Sequence, residues 1–503
     1  MNKGIKEKLQ FIKNKMQVIS YYNNAIGVVG FDFETICPKD AMEDEGNTLA
    51  FLDNEIFKIK QDPEVIKAYE FLNEHLDEIE DFYDKQLIKH LHRSYIRNKN
   101  ITPELNLEIT NLYHKSHMDW LNAKENKDYS LFEESLTKVR DAQLKLYNLS
   151  EIKYDTAYDF LLADKEPGMT TKDLDNFFNK LKEGTIKILR KIQNSGVDIR
   201  DDFLSRKVDI AKQEAFSLYL MKLIGFNTNK GMLGTTEHPF TNTLGQNDAR
   251  ITTHYYEDSF ISNIFTIIHE GGHAIFYQNQ DPKDYQHFID NSMTDAMHES
   301  VSRFYENRIA RSKEFIHLIY PILKQSFKDV LYDVSEEELY KGINKVTPSL
   351  IRTEADELTY ALHIIIRYEL EKDIMNNNLD MHNLNKYWNE KYKEYLGVDV
   401  PNDTEGVLQD IHWTEGFAYF PAYALGNAIN AMYYNKMKED IDIKKTVLSG
   451  DFTTINNWMK EHVFKKSNYL DPKEWLNDIV GKQLDPQDFL DYLDEKYKDI
   501  YNY

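Results

Sequence analysis

Residues 269 to 273 read His269-Glu270-Gly271-Gly272-His273, an H-E-x-x-H pattern at the end of an apolar stripe formed by Ile261, Ile264, Phe265 and Ile268. On a helix, residues i and i+4 lie one turn apart on one face, so His269 and His273 can each direct an imidazole nitrogen at a single ion. Glu270 is offset by about 100° around the helix. That offset sets its carboxylate beside the ion's open position, where it can take a proton from a water without being a ligand. The chain has 16 His, and roughly 0.04 chance matches to the pattern are expected in a sequence of this composition. Gly271 and Gly272 add weight, because each costs about 1 kcal/mol against Ala inside a helix. Close approach of another backbone, or of a substrate, is the simplest reason for them.

A catalytic zinc site needs three protein ligands and one open position, so a third donor must come from downstream. Phe276 and Asn279 stand where an extended zincin motif would place a glycine and a third histidine, which favours a carboxylate. Glu299 is the first candidate, on the helix expected around Met297 to Arg303, and Glu306 is the second. The plain alternative for Glu299 is an i,i+4 salt bridge to Arg303 on a solvated face.

His269-Glu270-x-x-His273 followed by His298-Glu299-Ser300 resembles the M32 metallocarboxypeptidases, the family of carboxypeptidase Taq. Further matching segments are His238-Pro239-Phe240, Asp248-x-Arg250-x-Thr252, Ile351-Arg352-Thr353-Glu354-Ala355-Asp356 and Gly406-Val407-Leu408-Gln409-Asp410-Ile411-His412-Trp413. They follow the family's order between about Thr236 and Leu425, and the N-terminal half carries no matching motif. The resemblance implies that His269, His273 and Glu299 are metal ligands, that Glu270 is the general base, and that the protein is a homodimer of broad specificity. Zn2+ is the implied ion, and Co2+ suits the same donors. Gly271 stands where Thr is common in the family, and Val301 where Gln or Thr often follows His-Glu-Ser.

An enzyme that trims peptides from the C-terminus also needs a cation for the terminal carboxylate, which an arginine fork binds through two parallel hydrogen bonds. Arg352 is the expected residue. It follows Thr347-Pro348, a plausible N-cap and first helical position, and the spacing predicts it in the first turns of a helix bearing Leu350, Leu358, Leu362 and Ile365. Glu354, Asp356 and Glu357 are its nearest candidate partners. His412 and Tyr423, in an aromatic segment, are candidates for the oxyanion and substrate side, with core packing as their plain alternative. Arg250, Thr252 and His238 are further candidates for pairing with substrate or bracing the site.

The elements that must position these residues read as a mostly α protein, a large helical gluzincin-type body with a deep active-site groove and a small β-element near the metal site. Among 503 residues only 20 Gly and 12 Pro occur, and most segments space apolar residues three and four apart. Long amphipathic helices are expected from Met1 to about Leu223, with breaks near Cys37-Pro38, Thr102-Pro103, Pro167-Gly168 and Ser195-Gly196. Gly225 to Asp248 reads as a long polar loop, leading into a strand at Arg250 to Tyr256. Two regions follow: 1–224, a helical groove wall or lid, and 225–503, the metal-binding region, continuous with the first as one body. Gly416 to Asn435, the longest uncharged stretch, reads as a buried helix.

A net charge of −23 repels phosphate backbones and anionic membranes, so neither nucleic acid nor membrane is expected as a partner. Cys37 is the single cysteine, which excludes a disulfide framework and suits a reducing, cytoplasmic setting. The first residues show no signal-peptide pattern. The reading is a metallocarboxypeptidase acting on peptides with a free C-terminal carboxylate. A helical gluzincin oligopeptidase that cuts internally, and a non-catalytic helical peptide-binding scaffold, are the alternatives.

Overall fold

Helices fill most of the 2–503 span that the computed structural model describes. Their boundaries follow local hydrogen-bonding chemistry. Thr102 caps the helix Pro103–Asn126 by accepting from Leu105 N, with proline in the first turn, where no amide hydrogen is needed. Reciprocal capping boxes open Ala157–Lys165 (Thr156 with Asp159) and Thr171–Ser195 (Thr170 with Asp173). Gly196, at φ 66°, ends the second of these in the left-handed conformation that lacks a steric penalty only for glycine. The first helix, Lys3–Thr35, stops just before Cys37-Pro38.

The polar segment after Gly225 is more ordered than a loop. It contributes β1 (Leu233–Thr235) and β2 (Thr241–Thr243), which flank β3 (Ala249–Thr253) in the order β1-β3-β2. β1 runs parallel to β3 with Leu233 opposite Ile251, and β2 runs antiparallel with Thr241 opposite Ile251. Short Thr- and Asn-rich strands carry little apolar alternation, so the pattern missed them. β3 ends at Thr253, before His254-Tyr255-Tyr256: the His254 ring faces the Thr236 carbonyl at 3.0 Å and packs on Tyr256 instead of extending the ladder. Thr252, fully buried, accepts from Phe240 N (2.8 Å) and donates to Phe240 O (3.1 Å), which fixes the approach to β2.

The helix expected from Pro348 does not form there. Residues 346–351 are irregular, Arg352–Glu354 make one 3-10 turn, and the helix begins at Tyr360 (Tyr360–Met375). Asp356 is the reason: its carboxylate accepts from Thr347 N, Leu358 N, Thr359 N and the Thr359 hydroxyl. It satisfies amides that would otherwise seek a helical ladder.

Apolar side chains collect into two clusters. The larger runs from Trp120 to Tyr501 and contains the H-E-x-x-H helix. A smaller one, built from Ile5, Leu9, Ile12, Val65, Leu72 and Ile88 among others, joins the helices Lys3–Thr35, Pro63–Glu74 and Phe82–Asn98. These helices meet the larger body through ring contacts and polar bonds, among them Asp84 with His287 at 2.7 Å and Arg97 to the Phe160 carbonyl at 2.8 Å. Phe31 packs edge-on against Phe240, Asn242 donates to the Gly27 carbonyl (3.1 Å), and Arg93 pairs with Asp471 through two bonds of 2.9 and 3.0 Å. Pro421–Asp440 is a largely buried helix. No helix among the described residues is long and apolar enough to cross a membrane.

Candidate active site

The H-E-x-x-H residues lie on Phe260–Asn279, which packs between the sheet and the helix Asp295–Arg303. Packing explains Gly272, and less strictly Gly271, where an added Cβ would meet only the tip of the Ile224 side chain. A Cβ on Gly272 would stand 3.0 Å from Ser302 Cα and 3.3 Å from the Val301 carbonyl oxygen, so the two helices touch backbone to backbone. A Cβ on Gly271 would collide with the Ile224 side chain. Pro421–Asp440 approaches Asp295–Arg303 from another side through Gly426, whose Cβ would lie 3.0 Å from Ser300 N and 3.1 Å from Glu299 Cγ.

This packing brings Glu299 to the two histidines. Glu299 Oε2 lies 3.6 Å from His269 Nε2 and 3.6 Å from His273 Nε2. All three ligand atoms fall within 4.8 Å of one another. Ligands held at about 2.0–2.2 Å around a tetrahedral ion stand about 3.4 Å apart, so the donor set fits a single metal. Each donor is braced from behind. His269 Nδ1 meets Glu306 Oε2 at 2.9 Å, and His273 Nδ1 meets His298 Nδ1 at 2.5 Å, which leaves both Nε2 atoms facing Glu299. Glu299 Oε1 accepts from Arg303 Nε (2.7 Å) and Oε2 from the Ser302 hydroxyl (3.0 Å). The salt bridge to Arg303 therefore exists, but buried beside the histidines and not on a solvated face. Burial opposes the charges on Glu299 and Glu306; Arg303 and His269 outweigh it, holding Glu299 well below the usual carboxylate range and Glu306 at about 2.

Glu306 thus stands behind His269. It belongs to a π-helical turn, Phe304–Ala310, that continues the Glu299 helix. Glu270, nearly buried, accepts from the Thr241 hydroxyl of β2 at Oε2 (2.6 Å), so the sheet fixes the orientation of that carboxylate. These groups line a cavity of about 560 Å³ together with Arg303, Arg352, Tyr360, Tyr419 and Tyr423.

Arg352 pairs with none of its sequence neighbours. Asp356 caps its own turn, and Glu357 is held by Arg308 (2.9 Å) and Lys496 (2.6 Å) in the interior. The partner of Arg352 is Asp410: Nε and Nη2 donate to Oδ1 at 2.9 and 2.8 Å. The other oxygen of Asp410 accepts from Arg367 Nε (2.6 Å). Two buried guanidiniums sharing one carboxylate leave a surplus positive charge on this side of the cavity. Burial opposes that charge, but Asp410 keeps Arg352 protonated with its pKa above the ordinary value.

His412 Nε2 lies 3.3 Å from the Tyr423 hydroxyl. Burial, and then the nearby Arg352 and Arg367, push His412 down to about 4, so it is neutral at neutral pH. Burial raises the Tyr423 phenol well above its usual value, which keeps its proton available. Arg250 turns to Asp248 (3.0 and 2.8 Å) and lies over the Phe31 ring; it does not line the cavity. His238 is exposed outside the cavity, and its neighbours Pro239 and Phe240 reach the wall instead. Sequence reasoning missed Thr241, Tyr360 and the roles of Glu306 and Asp410; only Asp410 sat inside a quoted motif.

A family model described as carboxypeptidase Taq (M32) metallopeptidase matches residues 11–497. Carboxypeptidase 1 of Bacillus subtilis is 36% identical over 489 residues, covering 96% of each chain. Thermostable carboxypeptidase 1 of Pyrococcus furiosus is 32% identical over 502 residues, covering 98% of each. The crystal structure of the M32 carboxypeptidase from Deinococcus radiodurans R1 superposes with a TM-score of 0.94 at 26% identity, over 99% of this chain and all of the other. With its helical body, and with two histidines and a glutamate gathered on one cavity wall, the chain belongs to the carboxypeptidase Taq (M32) metallopeptidases, a family of metal-dependent peptide hydrolases.

Proposed function

We propose that this chain is a zinc carboxypeptidase in which His269, His273 and Glu299 hold the ion, Glu270 is the general base and Arg352 receives the terminal carboxylate of the peptide. The observation that carries this reading is the pairing, in one cavity, of a His2Glu donor cluster with a cationic wall. When bound, zinc supplies Lewis acidity, which polarises a carbonyl and lowers the pKa of water towards 7.

The chain's own residues supply the rest. Thr241 occupies one oxygen of Glu270, so the other, Oε1, takes the proton from the attacking water and passes it to the leaving amine. Arg352, immobilised by Asp410, offers its remaining N–H groups to a carboxylate arriving through the cavity. Protonated Tyr423, on the cavity wall, donates a hydrogen bond to the oxyanion that develops at the scissile carbon, and neutral His412, with Nε2 3.3 Å from the Tyr423 hydroxyl, supports it from behind. Thr252 and Arg250 brace the wall, Thr252 by tying β3 to Phe240 and Arg250 by pairing with Asp248 beside the first helix, and exposed His238 lies away from the substrate.

Residues 1–224 form the groove wall and lid, and 225–503 the metal-binding region. The single cysteine suits a cytoplasmic setting, and a homodimer is the expected assembly. Timed mass spectrometry of one peptide, as free acid and as C-terminal amide, tests the function. Stepwise loss of single residues from the acid and resistance of the amide are expected; equal cleavage of both would reject exopeptidase action.

A further inference from the structure

Tyr360 opens the helix Tyr360–Met375, is 6% exposed and lines the cavity. Its hydroxyl oxygen accepts from two guanidiniums, Arg303 Nη2 and Arg352 Nη1, each at 3.2 Å. The ring also lies against Arg303, whose guanidinium carbon is 4.7 Å from the centroid. A phenol oxygen has two lone pairs and one hydrogen. Both lone pairs are engaged, so the hydrogen must point to a third partner, and no acceptor for it is found among the described residues. The two cationic donors also polarise the O–H bond and strengthen it as a donor.

We propose that Tyr360 is a substrate-binding residue whose hydroxyl donates to the terminal carboxylate of the peptide beside Arg352. The inference rests on the proposed carboxypeptidase reading, in which that carboxylate meets Arg352. The carboxylate would thereby receive a neutral O–H donor alongside the guanidinium, a combination that an amide terminus, with one oxygen and an N–H2 group, satisfies less well. Tyr360 also stands between Arg352 and Arg303, which holds Glu299. It therefore registers the position of the peptide end against that of the metal cluster.

The test is Tyr360→Phe, with metal content, thermal unfolding, and kcat and KM measured for one peptide as free acid and as amide. The expected result is a KM for the acid raised roughly ten- to a hundredfold, as for loss of one hydrogen bond to a charged group. Metal content should match wild type and kcat should change little, so that the preference for acid over amide shrinks. An unchanged KM would overturn the inference, and so would loss of metal, which would make Tyr360 a bridge between arginines and nothing more. If wild type itself does not prefer the acid, the carboxypeptidase reading has failed and not this residue alone. Should the variant not fold, wild-type protein carrying 3-fluorotyrosine at position 360 gives the answer by fluorine NMR. Its resonance is expected to shift on titration with N-acetylphenylalanine and not with its amide; identical responses to both would overturn the inference.

Discussion

Gly272→Ala probes the packing that assembles the metal cluster. A methyl group at this position would stand 3.0 Å from Ser302 Cα, 3.0 Å from Tyr305 Cδ2 and 3.3 Å from the Val301 oxygen. Carbon atoms pack at about 3.5–4.0 Å, so the shortfall is about 0.5 Å. The Tyr305 ring is fully buried and donates to Asn456 at 2.7 Å, and the backbone of Ser302 moves only if the helix Asp295–Arg303 moves with it. Glu299 rides on that helix, and metal ligation tolerates displacements of only about 0.2 Å. In an isolated helix the substitution would stabilise by about 1 kcal/mol. Overpacking costs about 1–3 kcal/mol, so the metal-free fold should lose about 0–2 kcal/mol. Metal affinity should fall about ten- to a hundredfold, the range for disturbing the support of a ligand. Chelator competition measures the affinity, and urea unfolding of the metal-free protein measures the fold. A variant that binds metal as tightly as wild type and unfolds at higher urea would refute the claim that Gly272 sets the distance between the ligand helices.

Glu270→Gln should retain metal by elemental analysis and lose turnover by about a hundredfold or more, whereas Glu299→Ala should lose the metal itself. A metal-free Glu270→Gln protein would mean that ligand and base have been exchanged. Asp410→Asn leaves Arg352 and Arg367 without their shared counter-charge, and urea unfolding should register a loss of about 3–5 kcal/mol. Glu166 accepts from Ala296 N at 2.7 Å, and burial pushes its carboxyl from 4.5 up to about 8. A folded pKa above the unfolded one stabilises fully below pH 4.5, and that contribution is lost as pH rises through 8. Wild type should thus lose about 2–3 kcal/mol between pH 5 and pH 7 that Glu166→Gln does not lose. Parallel stability profiles for the two proteins would refute the assignment.

What the sequence revealed depended on range. His269 and His273 were legible because one helical turn relates them, and the breaks at Thr102-Pro103 and Ser195-Gly196 because caps are local chemistry. Glu299 was one of two carboxylates until a family resemblance favoured it. Spacing could not say that Glu306 would brace His269 from a π-turn instead of joining the donor set. Arg352 lines the cavity as expected from the sequence, yet its partner was sought within five residues, while Asp410 lies on a distant segment that only the folded chain brings near. The misplaced helix start has a similar origin. Thr347-Pro348 is a sound capping pair, but the carboxylate of Asp356 offered the amides a better acceptor. Tyr360 bore no mark at all, because its importance is a matter of which lone pairs are already taken.

The N-terminal helices carry an apolar cluster of their own. Those helices pack on one another there and are also tied to the larger body by polar bonds, among them Asp84 with His287 (2.7 Å), His90 with Ser292 (2.8 Å), Arg97 to the Phe160 carbonyl (2.8 Å) and Thr236 to the Glu34 carbonyl (2.8 Å). The atoms nearest Gly272 and Gly426 all belong to residues 299–305. Changes in residues 2–98 are therefore removed from the contacts that set the spacing of the ligand helices, while they stay coupled to the sheet that orients Glu270.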